Sequence, residues 1–288
     1  MESFNYSIVN YQSNEWIMPP YFTQEVLENL YKKFTIRNED TFIVSYPKSG
    51  THWVKQILYI LVHGKSSQKE IIENSIPFLD VEAANVGLFG LEHLEKISSR
   101  RYFHSHLPLA LMPSILNGKA KYIYIARNPK DCAVSYYHFA RQYQRMNFQG
   151  TWDEFFTLYM NGKIQYGSIF DHVVTWWKRS QTGNDILFIK YEDMHKNLST
   201  VVEKIANFLN VPLTPNLLKT ICTQSQFHNM KENDKVNGQW ITGLENTSLL
   251  RKGKIGDWQN HFNEEQNKIF DSIYQQKMVS QSLTFDFN

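Results

Sequence analysis

Thr41-Phe42-Ile43-Val44-Ser45-Tyr46-Pro47-Lys48-Ser49-Gly50-Thr51 and the helical run to His63 decide the fold. Thr41 to Tyr46 is a β-branched and aromatic run that suits a buried central strand, and Pro47 stops it. Beyond the loop Lys48-Ser49-Gly50-Thr51, the apolar residues Trp53, Val54, Ile57, Leu58, Ile60 and Leu61 recur at three- and four-residue spacing, which predicts an amphipathic helix. A helix N-terminus therefore opens onto Lys48. Loop N–H groups, the positive end of the helix dipole and an ammonium converge there, which is the chemistry of a site for a phosphate-like anion. The loop is not of the G-x-x-x-x-G-K-[ST] type, because Lys48 precedes Gly50.

Working outward, the chain alternates strands with helices. Gln24 to Lys33 reads as a helix after the stiff lead-in Met18-Pro19-Pro20, and Gly64 to Gln68 as a polar turn. Ile76 to Leu94 is irregular and could be a pocket wall or an ordinary packing segment. Arg101 to His104 is a second strand that ends at Ser105-His106-Leu107-Pro108. Lys121 to Ala126 is a third, closed by Arg127-Asn128-Pro129, with a helix over Asp131 to Arg141. Helices are predicted over Trp152 to Asn161 and Ile169 to Arg179, a fourth strand over Ile186 to Tyr191, and a helix over Thr200 to Leu209. This order predicts a single α/β domain over residues 1–288, with a central, mostly parallel sheet flanked by helices.

At 288 residues and a net charge of +2, the chain is long enough for a full core but too weakly basic for a dedicated nucleic-acid binder. Cys132 and Cys222 form neither a disulfide framework nor a zinc pattern, so a reducing compartment is expected. No basic-then-apolar leader and no long apolar run occur, so a soluble cytoplasmic protein with no membrane partner is expected. The sequons at Asn5, Asn197 and Asn246 then read as chance matches.

Ligands of open parallel sheets bind beyond the carboxyl ends of the strands. Those ends carry Lys48, His106, Arg127 and Tyr191, with Ser135 on the next helix and Arg251-Lys252-Gly253 as a further cationic stretch. Each has a plainer reading. Arg127 could simply pair with Asp131, His106 could be a core histidine, Ser135 an ordinary helix residue, and Trp53, Tyr191 and Phe227 core aromatics. His104 and His106 could share a metal, but no carboxylate or cysteine accompanies them at ligand spacing. Trp176-Trp177 is read as core packing. A metal-dependent nucleotide kinase and a non-enzymatic nucleotide or polyanion binder both remain open on these residues alone.

Tyr46-Pro47-Lys48-Ser49-Gly50-Thr51-His52-Trp53, His106-Leu107-Pro108, Arg127-Asn128-Pro129-Lys130-Asp131 with Ser135-Tyr136-Tyr137-His138-Phe139, Tyr191-Glu192-Asp193-Met194, and Arg251-Lys252-Gly253 with Gly256-Asp257-Trp258 together resemble the cytosolic sulfotransferases. The match runs in order from about Val44 to Phe270. The resemblance implies transfer of the sulfuryl group of 3′-phosphoadenosine-5′-phosphosulfate (PAPS) to a small acceptor, with no metal required. Carried over by residue, it implies that Lys48, Ser49, Gly50, Thr51, His52 and Trp53 hold the phosphosulfate, and that Arg127, Ser135, Arg251, Lys252 and Gly253 hold the 3′-phosphate. Trp53, Tyr191, Ser225 and Phe227 would frame the adenine, His106 would be the catalytic base, and Lys48 would stabilise the leaving phosphate.

The chain departs from the family in four places. His104 stands where a lysine is usual, His52 where a second threonine is usual, and Ser225-Gln226-Phe227 where Thr-Ser-Phe is usual. The dimerisation segment aligns with Gln259 to Lys268 but carries Gln259, Asn263, Glu264 and Lys268 at its key positions, so the usual dimer is not expected. The acceptor, a phenol, alcohol, steroid or amine, should be walled by Met18 to Phe22, Val81 to Leu91, Phe139 to Phe148 and Val236 to Leu249. Glu82, Glu92 and Glu245 would suit a cationic amine there, or would be solvated surface carboxylates.

Overall fold

Strand β3 (Thr41–Ser45) is buried at every position, so it has protein on both faces, as a central strand of a parallel sheet must. The structure, a computed structural model, describes residues 4–113, 120–244 and 248–288; Glu245 and the Asn246 sequon lie outside them. On the amino-terminal side come the hairpin β1 (Ser7–Tyr11) and β2 (Asn14–Met18) and helix α1 (Gln24–Lys33). Helix α2 (Thr51–His63) follows β3 directly, and the short helices α3 (Leu79–Ala83) and α4 (Leu91–Lys96) lead to β4 (Tyr102–Ser105). Next come β5 (Lys121–Ala126), α5 (Pro129–Gln142), α6 (Trp152–Met160), α7 (Ile169–Ser180), β6 (Ile186–Lys190), α8 (Tyr191–Lys196) and α9 (Leu198–Leu209). Helices α10 (Pro215–Gln224), α11 (Phe227–Glu232) and α12 (Glu264–Lys277) complete the described elements.

The four strands pair in the order β4-β3-β5-β6, all parallel, so the predicted fold class is the observed one. Alternation along each strand divides the core. Phe42, Val44, Tyr122 and Tyr124 join Trp176 and the α1, α5 and α7 side chains on one face. Ile43, Ile123, Ile125 and Ile189 pack with apolar residues of α2, α9 and α10 on the other. Trp176 is fully buried, as expected, while Trp177 is half-buried and donates its indole N–H to the Gln281 carbonyl.

The hairpin β1–β2 was not expected from the sequence. Its turn residues Gln12 and Ser13 both have positive φ, a conformation usually signalled by Asn-Gly, so the sequence carries no hairpin signature. Helices α10 and α11 were likewise unanticipated. The altered dimerisation segment, Gln259 to Lys268, spans a 3₁₀ turn and the start of α12. There Asn263 serves as the N-cap, accepting from the Gln266 N–H in a capping box.

Candidate active site

All four strands of the sheet deliver their carboxyl ends to one cleft of about 950 Å³. Lys48, Thr51, His52, Trp53, His106 and Arg127 line it, as do Ser135, Tyr191, Ser225, Phe227, Arg251, Lys252 and Gly253. Of the site residues expected from sequence, Ser49 alone is turned away: it is fully buried, with its hydroxyl 3.4 Å from Cys132 Sγ. Each of the four segments expected to wall an acceptor also contributes lining residues, including Tyr21, Val86, Tyr143 and Trp240.

The loop after β3 turns through Lys48 and Gly50, both at positive φ, with Gly50 as the N-cap of α2. A Cβ at Gly50 would lie 2.7 Å from the Tyr191 ring, so only glycine permits this approach. Trp53 meets Tyr191 edge-on at 5.4 Å, and the Arg127 guanidinium lies 4.4 Å from the Tyr191 ring centroid. Gly253 is under the same kind of constraint, because a Cβ there would collide with Phe227.

The cationic end is incompletely paired. Arg127 donates to the Lys254 carbonyl at 2.7 Å and lies 3.6 Å from Asp131, so the simple pair foreseen as an alternative does form. Arg251 and Lys252 each contact Asp257 at 2.6 Å; although burial works the other way, these bonds hold its carboxyl well below the usual range. Even so, the Nε groups of Arg127 and Arg251 are buried without a hydrogen-bond partner, as is His52 Nε2. Buried donors are normally satisfied, and orphaned guanidinium N–H groups in a cleft fit an anionic ligand. Burial, followed by the nearby Arg127 and Arg251 charges, pushes the Lys48 ammonium down to about 7. It rests 4.3 Å from the centroid of the Phe139 ring.

His106 is held from three sides. Its Nδ1 lies 2.9 Å from the Ser45 carbonyl, which can only accept, so Nδ1 carries the proton and Nε2 presents its lone pair. Its backbone N–H donates to Asp80 at 3.1 Å, and its carbonyl accepts from His172 Nε2 at 3.0 Å. Asp80 also accepts from the Ser105 and Tyr166 hydroxyls, and burial raises it to about 6. Burial drives the His106 imidazole down to about 3, so the ring is neutral at physiological pH. Asp80 and His172 were missed by sequence reasoning, because both lie far along the chain from His106 and follow no spacing rule.

His104 is committed elsewhere. Its Nδ1 donates to the Ile76 carbonyl at 3.1 Å, its ring stacks on Phe78, and its Nε2 faces Glu73 at 3.4 Å. No carboxylate stands at ligand spacing from the two histidines in the sequence, but through the fold Glu73 faces the His104 ring and Asp80 accepts from the His106 backbone N–H. Among the described residues no cluster of three or more His, Cys, Asp or Glu side chains is suited to a metal. Glu82 is also reassigned, since it is buried and accepts the backbone N–H groups of Leu88, Phe89 and Gly90 rather than being solvated. Glu92 is exposed.

The sulfotransferase domain pattern matches residues 38–281. The chain belongs to the sulfotransferase family. It is 39% identical over 266 residues to dog sulfotransferase 1B1, covering 90% of this chain and 89% of that protein. Human sulfotransferase 2A1 is 38% identical over 262 residues, covering 90% of each chain. Among solved structures, mouse sulfotransferase SULT7A1 complexed with PAP is 30% identical, with a TM-score of 0.75 over 94% of both chains. A retinol dehydratase bound to androsterone and the inactive cofactor PAP has the same fold, with a TM-score of 0.83 at 23% identity over 94% of this chain and 89% of that one. PAPS-dependent sulfuryl transfer is accordingly this chain's reaction class, and the kinase and pure-binder alternatives fall away.

A titratable cation beside the loop before α2 would make the binding of an anion there pH-dependent. Lys48 must be protonated to meet an anion, yet in the free protein it titrates at about 7. An anion beside it restores its pKa, so binding takes up a proton at alkaline pH. Affinity for adenosine 3′,5′-bisphosphate (PAP) is expected to fall by roughly tenfold per pH unit above about pH 7, until the pKa of the complex is reached. Calorimetry across that range, in buffers of different ionisation enthalpy, should show the proton uptake in the wild type and its loss in Lys48→Met.

Proposed function

We propose that this sulfotransferase uses His106 as general base and Lys48 as the cation that stabilises the leaving 5′-phosphate while the PAPS sulfuryl group moves to a hydroxyl or amine of a small acceptor. The observation that carries the reading is the juxtaposition, in one cleft, of a neutral imidazole with a free Nε2 lone pair and unpartnered buried guanidinium N–H groups. The imidazole takes the acceptor proton as the O–S or N–S bond forms. The ammonium meets negative charge that grows on the phosphate oxygen as the S–O bond breaks, so its interaction is strongest in the transition state. His52 and the amino end of α2 add hydrogen-bond donors and a positive dipole for the phosphosulfate, Arg127, Ser135 and the Arg251-Lys252-Gly253 stretch take the 3′-phosphate, and Trp53, Tyr191, Ser225 and Phe227 frame the adenine. The whole chain acts as one domain in the cytoplasm, and no described helix is long and apolar enough to cross a membrane.

His106→Ala should retain PAP binding while losing roughly 10² to 10⁴ in turnover of a simple phenol, whereas His104→Ala should lose less than roughly tenfold. Single-turnover kinetics at saturating PAPS is the measurement; near-normal chemistry in His106→Ala would move the base elsewhere.

Arg127→Ala and Arg251→Ala should weaken PAP by several-fold to about a hundredfold, and should discriminate poorly against the nucleotide lacking the 3′-phosphate. Calorimetry with both nucleotides tests this, and an unchanged ratio between them would remove these arginines from the 3′-phosphate.

With Gln259, Asn263, Glu264 and Lys268 in place of the usual dimerisation residues, the chain is expected not to use that interface. Sedimentation at micromolar concentration checks this, and a dimer abolished by changing Asn263 and Glu264 would count against it.

A further inference from the structure

Beside His106, on the wall of the cleft, is a polar cluster that the donor and base chemistry leaves unused. Lys55 on α2 is fully buried and pairs with Glu73 Oε2 at 2.5 Å. The other carboxylate oxygen, Oε1, faces His104 Nε2 at 3.4 Å. The Nδ1 of His104 is 3.1 Å from the Ile76 carbonyl. Since that oxygen can only accept, Nδ1 holds the proton in the neutral ring and Nε2 presents a lone pair. Two acceptors therefore confront each other across a gap too long for a good direct hydrogen bond. The ring is fixed in this attitude by Phe78, stacked at 4.5 Å and 12°.

Both residues line the cleft, and the His104 and His106 ring centroids are 6.4 Å apart. We propose that Glu73 Oε1 and His104 Nε2 form a notch for a second hydrogen-bond donor on the acceptor molecule, a hydroxyl or amino N–H near the group that is sulfated. The inference deepens the acceptor half of the proposed function and rests on it. It narrows the acceptor class from monofunctional phenols, alcohols and steroids to compact molecules bearing two neighbouring donor groups. Lys55 already neutralises the carboxylate from its Oε2 side, so the notch recognises a donor rather than an excess positive charge. An acceptor lacking the second donor leaves two buried lone pairs facing each other unpaired, which is the condition under which a polar site rejects an analogue most strongly. Of the carboxylates considered from sequence, Glu82 is occupied by three backbone N–H groups and Glu92 is exposed, so neither supplies this feature.

The test compares a phenol carrying an adjacent hydroxyl, its aminophenol counterpart and its methyl ether. Sulfation is measured as kcat/KM, and affinity for the PAP-loaded enzyme by calorimetry. The wild type is expected to favour both donor-bearing compounds over the ether by about 10-fold to 100-fold in each measurement. Glu73→Gln should close the notch, because its amide oxygen would face Lys55 and its NH₂ would donate to His104 Nε2. The preference should then shrink to within about threefold. The double variant Lys55→Met with Glu73→Leu replaces the ion pair by apolar groups and should lose the preference in the same way, so a folding defect in one variant does not shelter the proposal.

Equal kcat/KM and affinity for the ether and the donor-bearing compounds in the wild type would overturn the notch while leaving His106-dependent sulfation standing. Retention of the preference in both variants would overturn it as well. A phenol carrying an adjacent aminomethyl group, cationic at neutral pH, favoured over the adjacent-hydroxyl compound by more than about tenfold would overturn the neutral-donor assignment in favour of a cation site. Were none of the compounds sulfated, the proposed function would fail, and the calorimetric preference would still decide the notch.

Discussion

An ammonium withdrawn from water, with no carboxylate paired to it among the described residues, is the constraint on which the rest of the site depends. Lys48 has a carbonyl, an aromatic face and two further cations around it, and its pKa is depressed accordingly. A charge in that position is tolerated only because the surrounding structure is stable enough to hold it and because an anion can complete it. The stabilising side of that balance is the fully buried β3, the two apolar faces of the sheet and the left-handed turn at Gly50 that starts α2. The loop is thus an unfinished ion pair built into a rigid frame.

The same economy governs His106. Backbone and ring are held by Asp80, His172 and the Ser45 carbonyl, which leaves one nitrogen atom uncommitted. In the proposed role of base, an imidazole whose orientation is fixed by groups that do not react would need little reorganisation when the proton moves. His104, two residues earlier and still within β4, has its Nδ1 hydrogen-bonded and its Nε2 turned to Glu73, so the two histidines are chemically distinct.

What was legible in the sequence follows from locality. The β3–α2 unit, the strands at Lys121 and Ile186 and the position of Pro129 in the first turn of α5 all announce themselves through period and stop signals within about ten residues. The strand-end residues followed once the sheet was taken to be parallel. Illegible were the contacts that the fold alone creates: Glu73 against Lys55 and His104, Asp80 under His106, and His172 behind it. Their separations in the chain obey no period. The β1–β2 hairpin was missed for a different reason, since Gln12 and Ser13 adopt a turn conformation that their side chains do not favour.

The strand order β4-β3-β5-β6 also acts as a spatial map. β4 leads to His106 and His104, β3 to Lys48, β5 to Arg127, and β6 to Tyr191. Under the proposed assignment, reading across the sheet meets the acceptor, the transferred group, the phosphates and the nucleoside in that sequence. The two halves of the reaction are therefore borne by different strands, and β3 alone belongs to both. Substitutions on the β4 flank can remodel what is accepted without disturbing what is donated, which makes divergence of acceptor preference cheap and divergence of the donor costly. His104 lies on that permissive flank, and the carboxylate of Glu73 reaches it from a neighbouring 3₁₀ turn.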